Sequence, residues 1–267
     1  MKKKDASYNQ NPVRDDFEIY RLGKWFPAKS NLKRNFMDFK LSVYLSLIEL
    51  VLSASFIYLI YRPLSIQKSD LIFYAASSLK YFLEIFIVFG MVLKVEKRHF
   101  GSIGLRNFKK ETSLFWKEIL WTAFFASTVI VGTIILLSQK SSATFSPVKI
   151  VIHGVYLLLC VSLGEEIVWR GFIFSRFCLS IGKFIAFIFL LLLMILWHLP
   201  YHLYVSSHSG TSIFSLIFFS SVSGTAAMVL LVLLSEKLIG RWNIYFAIFL
   251  HWFFDFSAFL SNPQFIQ

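Results

Sequence analysis

Apolar residues run along this chain in seven long blocks separated by polar connections, at approximately residues 41–61, 71–93, 115–137, 148–178, 183–203, 212–234 and 242–261. Crossing about 30 Å of hydrocarbon at 1.5 Å per residue takes roughly 20 apolar residues, and each block is long enough. A backbone in lipid must satisfy its own hydrogen bonds, so each block is expected to be a helix. The pattern predicts an all-α, polytopic integral membrane bundle of about seven transmembrane helices. The fourth block is longer than a span requires, because apolar character continues past Arg170 as GFIFSRFCLS. A helix running to about residue 178 is expected there.

Composition agrees with the pattern. With 57% apolar residues, 16% charged residues and 31 phenylalanines, the chain is too apolar for a soluble globular domain. No internal repeat, Gly/Ser linker or low-complexity tract divides it. The expected organisation is a basic cytoplasmic arm over residues 1–40 and a single transmembrane domain over 41–267. The first 40 residues contain no apolar run of the kind a cleaved signal peptide carries. Cys160 and Cys178 lie on one expected helix about 27 Å apart, too far to bridge within a protomer.

The net charge of +12 invites a nucleic-acid partner, but its distribution argues against one. Ten Lys/Arg fall in residues 1–40 and six in residues 94–110; Arg170, Arg176, Lys183, Lys237 and Arg241 fall on the same side of the bundle. The opposite side carries Arg62, Lys68, Lys140 and Lys149, with Lys80 and Lys117 inside helices. This asymmetry follows the positive-inside rule and predicts a cytoplasmic N-terminus and an external C-terminus. The bilayer, rather than a nucleic acid, is the expected partner.

Ionisable residues inside a membrane are candidates for function, because leaving them there is costly. Lys80 and Glu84 are four apart on the second block and are explained as a local pair. His153 is a single imidazole near a helix start, and a structural role is expected. The remaining groups concentrate in three places: 164-GEEIVWRGF-172, 194-MILWHLPYH-202 and 250-LHWFFDF-256. Glu166 and Arg170, four apart, can pair and neutralise each other. Glu165 points about 100° away and lacks that local partner. His251 and Asp255 share one face of the seventh block. Measured along the helices from their cytoplasmic ends, Glu165, His198, His251 and Asp255 lie within about two helical turns of one another. A carboxylate and two imidazoles in a membrane pocket suit hydrolysis, with glutamate as general base. The same set could also ligate a divalent metal, relay protons, coordinate a transported cation or fix helix packing.

The three segments together resemble the signature of the CPBP family (CAAX prenyl protease type II and bacteriocin-processing, or Abi, proteins), which are integral-membrane endopeptidases. Its motifs are EExxxR, FxxxH and HxxxN or HxxxD. Glu165, Glu166 and Arg170 meet the first, followed by a Gly-Phe pair; His198 meets the second, with Met194 in place of phenylalanine; His251 and Asp255 meet the third in its aspartate form. The resemblance covers about residues 148–258 as a catalytic core, and 100-FGSIGL-105 looks like the loop preceding it. It implies that Glu165 is the general base, aided by His198, and that His251 and Asp255 orient water or substrate and support the oxyanion. Glu166 and Arg170 would brace Glu165. An ionised aspartate cannot donate to an oxyanion, so Asp255 must be protonated or act on His251 or a metal.

The family's usual metalloprotease label implies a possible Zn²⁺ or other divalent site built from Glu165, His198, His251 and Asp255. A glutamate-activated water with no metal cofactor is the favoured expectation, since neither HLPYH nor HWFFD places two histidines and a base together as HExxH does. The implied partner is a peptide or protein substrate, membrane-embedded or lipidated. Two other function classes fit the same residues. One is a non-catalytic family member serving as scaffold or bacteriocin self-immunity protein; the other is a cation or proton transporter.

Overall fold

A computed structural model of the chain describes residues 32–61, 70–98, 100–105, 120, 124, 147–239 and 243–261. The expected third helix, 115–137, falls almost wholly outside these residues, as does most of the basic arm. The described residues form helices and short connections with no strand. This is the all-α architecture the apolar blocks predict. Helix α1 spans Leu32–Phe56 and continues in a wider, π-helical turn to Tyr61. Helix α2 spans Asp70–Gly90 and ends in a similar turn, Met91–Val95. Helix α3 runs unbroken over residues 147–181, α4 over Lys183–Ser209, α5 over 213–239 and α6 over Tyr245–Ser261. Five of these helices are long and apolar enough to cross a membrane, and the 17-residue α6 is shorter. The chain is an integral membrane protein.

Two boundaries differ from the expectation. Helix α1 begins at Leu32, nine residues before the first apolar block, and carries Asn35, Asp38 and Lys40 on its first turns. Hydropathy marks where the lipid-compatible stretch begins, whereas the helix extends into polar residues that find protein partners. Asp38, 3% exposed, does so by receiving Arg98 at 2.9 and 3.0 Å. The long fourth helix is present and reaches Ile181. It stops at Gly182, whose φ of 85° and ψ of 156° suit glycine alone, and α4 starts at the next residue.

Helix α3 is the axis of the bundle. All residues from Gly164 to Phe177 are buried. Around them pack Leu45 of α1, Val88 and Val92 of α2, Leu190 and Met194 of α4, Val232 of α5 and Ala247 of α6. A helix enclosed on every side has no lipid or water face onto which a polar side chain can escape. Each polar group on it must therefore be met by another protein group. Trp169 meets Trp197 of α4 edge to face at 5.6 Å, and Trp252 of α6 donates 2.8 Å to the carbonyl of Gly154. His153 has the structural role expected of it, with Nδ1 2.8 Å from the Tyr74 hydroxyl and its ring stacked on Phe259 at 3.8 Å.

The loop between α2 and the undescribed segment closes one end of this core. Phe100–Ile103 forms a 3₁₀ turn against Gly171, where an added Cβ would lie 2.8 Å from the Ile103 carbonyl oxygen. Arg176, fully buried, ties that turn down. Its guanidinium donates to both oxygens of Glu96, at 2.8 and 2.5 Å, and to the carbonyl and hydroxyl of Ser102 at 2.8 and 2.9 Å. Arg176 counts as a cytoplasmic-side charge in the sequence, yet here it is an internal clamp.

Candidate active site

The central stretch of α3 is wound as a π-helix over Glu166–Phe174, immediately after the short α-helical turn Leu163–Glu165. The i→i+5 bonding of such a segment shifts side-chain register away from the α-helical period, and it occurs often at functional sites. Glu165 and Glu166 straddle the transition. Both are buried, at 5% and 0% exposure.

Glu165 is met by α2 and α6. The Tyr81 hydroxyl donates 2.8 Å to Oε1, while Oε2 lies 3.6 Å from His251 Nε2. Tyr81 reaches this position because residue 164 is glycine; a Cβ there would lie 2.8 Å from the Tyr81 ring.

Glu166 is the hub of the expected brace and also does more. Its Oε1 stands 2.9 Å from Arg170 Nη1, an ion pair at contact distance that lacks the alignment of a hydrogen bond. The same oxygen is 2.9 Å from His251 Nδ1, which donates to it. Glu166 therefore fixes the imidazole of α6 as well as the guanidinium on its own helix. With Nδ1 committed, His251 turns Nε2 toward two carboxyls, Glu165 at 3.6 Å and Asp255 Oδ2 at 3.3 Å. A proton on Nε2, or on one of the carboxyls, is needed for that arrangement to attract. Asp255 is the most open member of the cluster, with 37% of its side chain exposed against 14% for His251 and 6% for Glu165.

His198 stands beside these four without bonding to them. Its Nδ1 lies 2.9 Å from the Met194 carbonyl, so Nδ1 carries the proton and Nε2 is left as the acceptor. Position 194 thus serves His198 through the main chain, while the Met194 side chain packs in the core. The His198 ring lies edge-on to Trp197 at 4.6 Å and parallel to His202 at 5.5 Å. His251 and Arg170 are among the ionisable groups whose fields reach it. His202, one turn beyond His198, is 1% exposed and bonded through Nε2 to Ser221 at 2.9 Å. Helix α4 continues through Pro200, so both histidines keep one face.

The possible metal set does not fit as arranged. Among the described residues no group of three or more His, Cys, Asp or Glu side chains stands where it could hold a metal ion. His198 bonds to the Met194 carbonyl rather than to any of the other three.

Two participants escape the sequence reading. Tyr81 carries no motif, and its only signal is a hydroxyl on an apolar helix. Glu49 on α1, 0% exposed, is an intramembrane acid whose presence in the first apolar block was signal enough.

No curated protein and no solved structure matches this chain. Residues 147–257 match the family model for type II CAAX prenyl endopeptidase, Rce1-like. That range begins with α3, ends within α6 and contains every residue of the three motifs. The segment 147–257 is an Rce1-like domain of the type II CAAX prenyl endopeptidase family, the family that the three motifs resemble.

Proposed function

We propose that this chain is an intramembrane endopeptidase in which Glu165 activates the water that cleaves a peptide bond. The observation that carries this reading is the mounting of Glu165. One oxygen is held by Tyr81, and the other faces His251 across 3.6 Å. That gap is too long for a hydrogen bond and short enough for both groups to reach one reacting molecule.

In the proposed reaction, Glu165 removes a proton from water while the water oxygen bonds to the scissile carbonyl carbon. The carbonyl π electrons move to oxygen, and the resulting oxyanion is met by the N–H of His251. The C–N bond then breaks, and Glu165 returns the proton to the leaving amine. The products are a carboxylic acid and an amine, and Glu165 is restored. Glu166 keeps His251 pointed by accepting from Nδ1. Asp255 sits where it holds charge on His251 rather than donating to the oxyanion. His198, with Nε2 free, shares the base function or orients the water. No metal is required in this scheme.

The substrate in this reading is a peptide or protein presented at the membrane, membrane-embedded or lipidated. The proposed topology keeps the N-terminus cytoplasmic and the C-terminus outside, following the charge asymmetry. Comparing membrane proteomes of wild-type and Glu165→Gln cells tests the activity. Uncleaved termini should accumulate in the variant, and the purified wild type should cleave them. Identical proteomes would leave the scaffold and transporter readings standing instead, and cleavage by purified Glu165→Gln at the wild-type rate would overturn Glu165 as the base.

A further inference from the structure

Helices α1 and α2 bury a second charged cluster beside Glu165. Glu49 is 0% exposed and Glu84 1%. Lys80 Nζ lies 2.7 Å from Glu84 Oε1, and its side chain is 10% exposed. The ionisable groups facing Glu49 are Glu84 and Lys80 of α2 and, from α3, Glu165. Neither carboxyl oxygen of Glu49 finds a donor among the described residues. The Lys80 ammonium also sits over the Tyr81 ring at 4.2 Å and the Trp197 ring at 5.3 Å. The local pair expected of Lys80 and Glu84 is thus present, within a larger assembly.

Charge counting singles this cluster out. With all groups ionised, two carboxylates would share one ammonium and leave an unpaired negative charge in a buried site, next to a third carboxyl. Two neighbouring carboxylates also offer each other only acceptors. A single proton between them solves both problems. It gives Glu49 the donor it lacks, and it makes the cluster neutral.

We propose that Glu49 and Glu84 share one proton and, with Lys80, form a neutral buried proton-binding site that tethers the Lys80 ammonium away from Glu165. Lys80 is adjacent in sequence to Tyr81, the residue that holds Glu165, and its field reaches Glu165. Freed from the acid pair, the ammonium would turn to the nearest remaining carboxylate and tie up the candidate base. Glu49, Glu84 and Lys80 are therefore positioning residues acting through what Lys80 is prevented from doing. The tethering half of this proposal rests on the endopeptidase reading; the shared proton does not.

Infrared difference spectroscopy on the purified full chain in detergent at neutral pH tests the proton. The observable is the C=O stretch of a protonated carboxylic acid and its shift in D₂O. Glu49→Gln and Glu84→Gln should each abolish one acid band, since the surviving carboxylate then pairs with Lys80 alone. Lys80→Met should add a second such band, and Glu165→Gln should leave the first in place. A Glu49→Gln or Glu84→Gln protein that retains the wild-type band overturns the shared proton, as does a band lost only in Glu165→Gln. The tether is tested by cleavage of a verified substrate. Glu49→Gln/Glu84→Gln together should lower kcat about tenfold or more at similar KM, and adding Lys80→Met should restore it. An active wild type with no rescue in the triple variant overturns the tether. A wild type that cleaves nothing removes the endopeptidase reading and leaves the infrared result to decide the proton.

Discussion

Tyr81 and Glu165 lie 84 positions apart and are joined by a 2.8 Å hydrogen bond from the phenol to the carboxylate. The bond brings α2 into a site whose recognisable motifs all lie on α3, α4 and α6. It also gives Gly164 a purpose, because only a residue without a Cβ lets the Tyr81 ring approach the backbone so closely.

Tyr81→Phe removes that donor and keeps the ring. A hydrogen bond to a charged group is worth about 1.5–3 kcal/mol, so kcat on a verified substrate should fall about tenfold or more while KM changes little. Steady-state kinetics check this, with circular dichroism confirming an intact fold. An unchanged kcat would mean that Tyr81 contributes packing alone.

The two glutamates should separate in their effects. Glu165→Gln should abolish cleavage with little change in Tm, because shape and packing survive. Glu166→Gln leaves Arg170, 2% exposed, without its counter-charge and weakens the hold on His251. Breaking a buried pair costs about 3–5 kcal/mol. Glu166→Gln should therefore lower Tm together with activity, and adding Arg170→Met should recover part of the stability but not the activity. Equal Tm values for Glu165→Gln and Glu166→Gln would contradict this division.

Gly171→Ala pushes a methyl to within 2.8 Å of the Ile103 carbonyl oxygen, whereas a Cβ at Gly90 meets nothing within 4 Å. Overpacking of this kind costs about 1–3 kcal/mol. Gly171→Ala should lower Tm and loosen the 100–105 turn, measured by protease sensitivity, while Gly90→Ala serves as the silent control. Matching behaviour of the two alanine variants would show that the turn does not bear on the α3 backbone.

Exhaustive chelation should leave the purified enzyme active, and elemental analysis should find no stoichiometric transition metal. About one zinc per chain, lost in His198→Ala and restored with activity on adding zinc back, would replace the metal-free scheme with a Lewis-acid one.

Reporters fused after residue 40 or near residue 105 should report cytoplasm, and reporters at residue 208 or after residue 267 should report the outside. A cytoplasmic C-terminus would mean that one helix fewer or one more crosses the bilayer than the apolar blocks suggest.

By itself the sequence determined the class of the protein, the helices among the described residues and the identity of the motif residues. Apolar length has only one outcome in lipid, where each backbone segment must close its own hydrogen bonds. Intramembrane glutamates and histidines stand out for the same energetic reason, and the Glu166–Arg170 pair is legible because i,i+4 spacing is local. The tertiary structure decided which of these groups touch. The expected brace around Glu166 extends to His251 on another helix, Asp255 turns to His251, and His198 bonds to the Met194 carbonyl of its own helix. Tyr81, Glu49 and Arg176 acquire their roles only there. The physical reason is register. Periodicity assumes 3.6 residues per turn, but the stretch carrying the glutamates is π-wound and enclosed by five other described helices. Side-chain direction at such a place depends on what the neighbouring helices bring to it, and no local spacing records that.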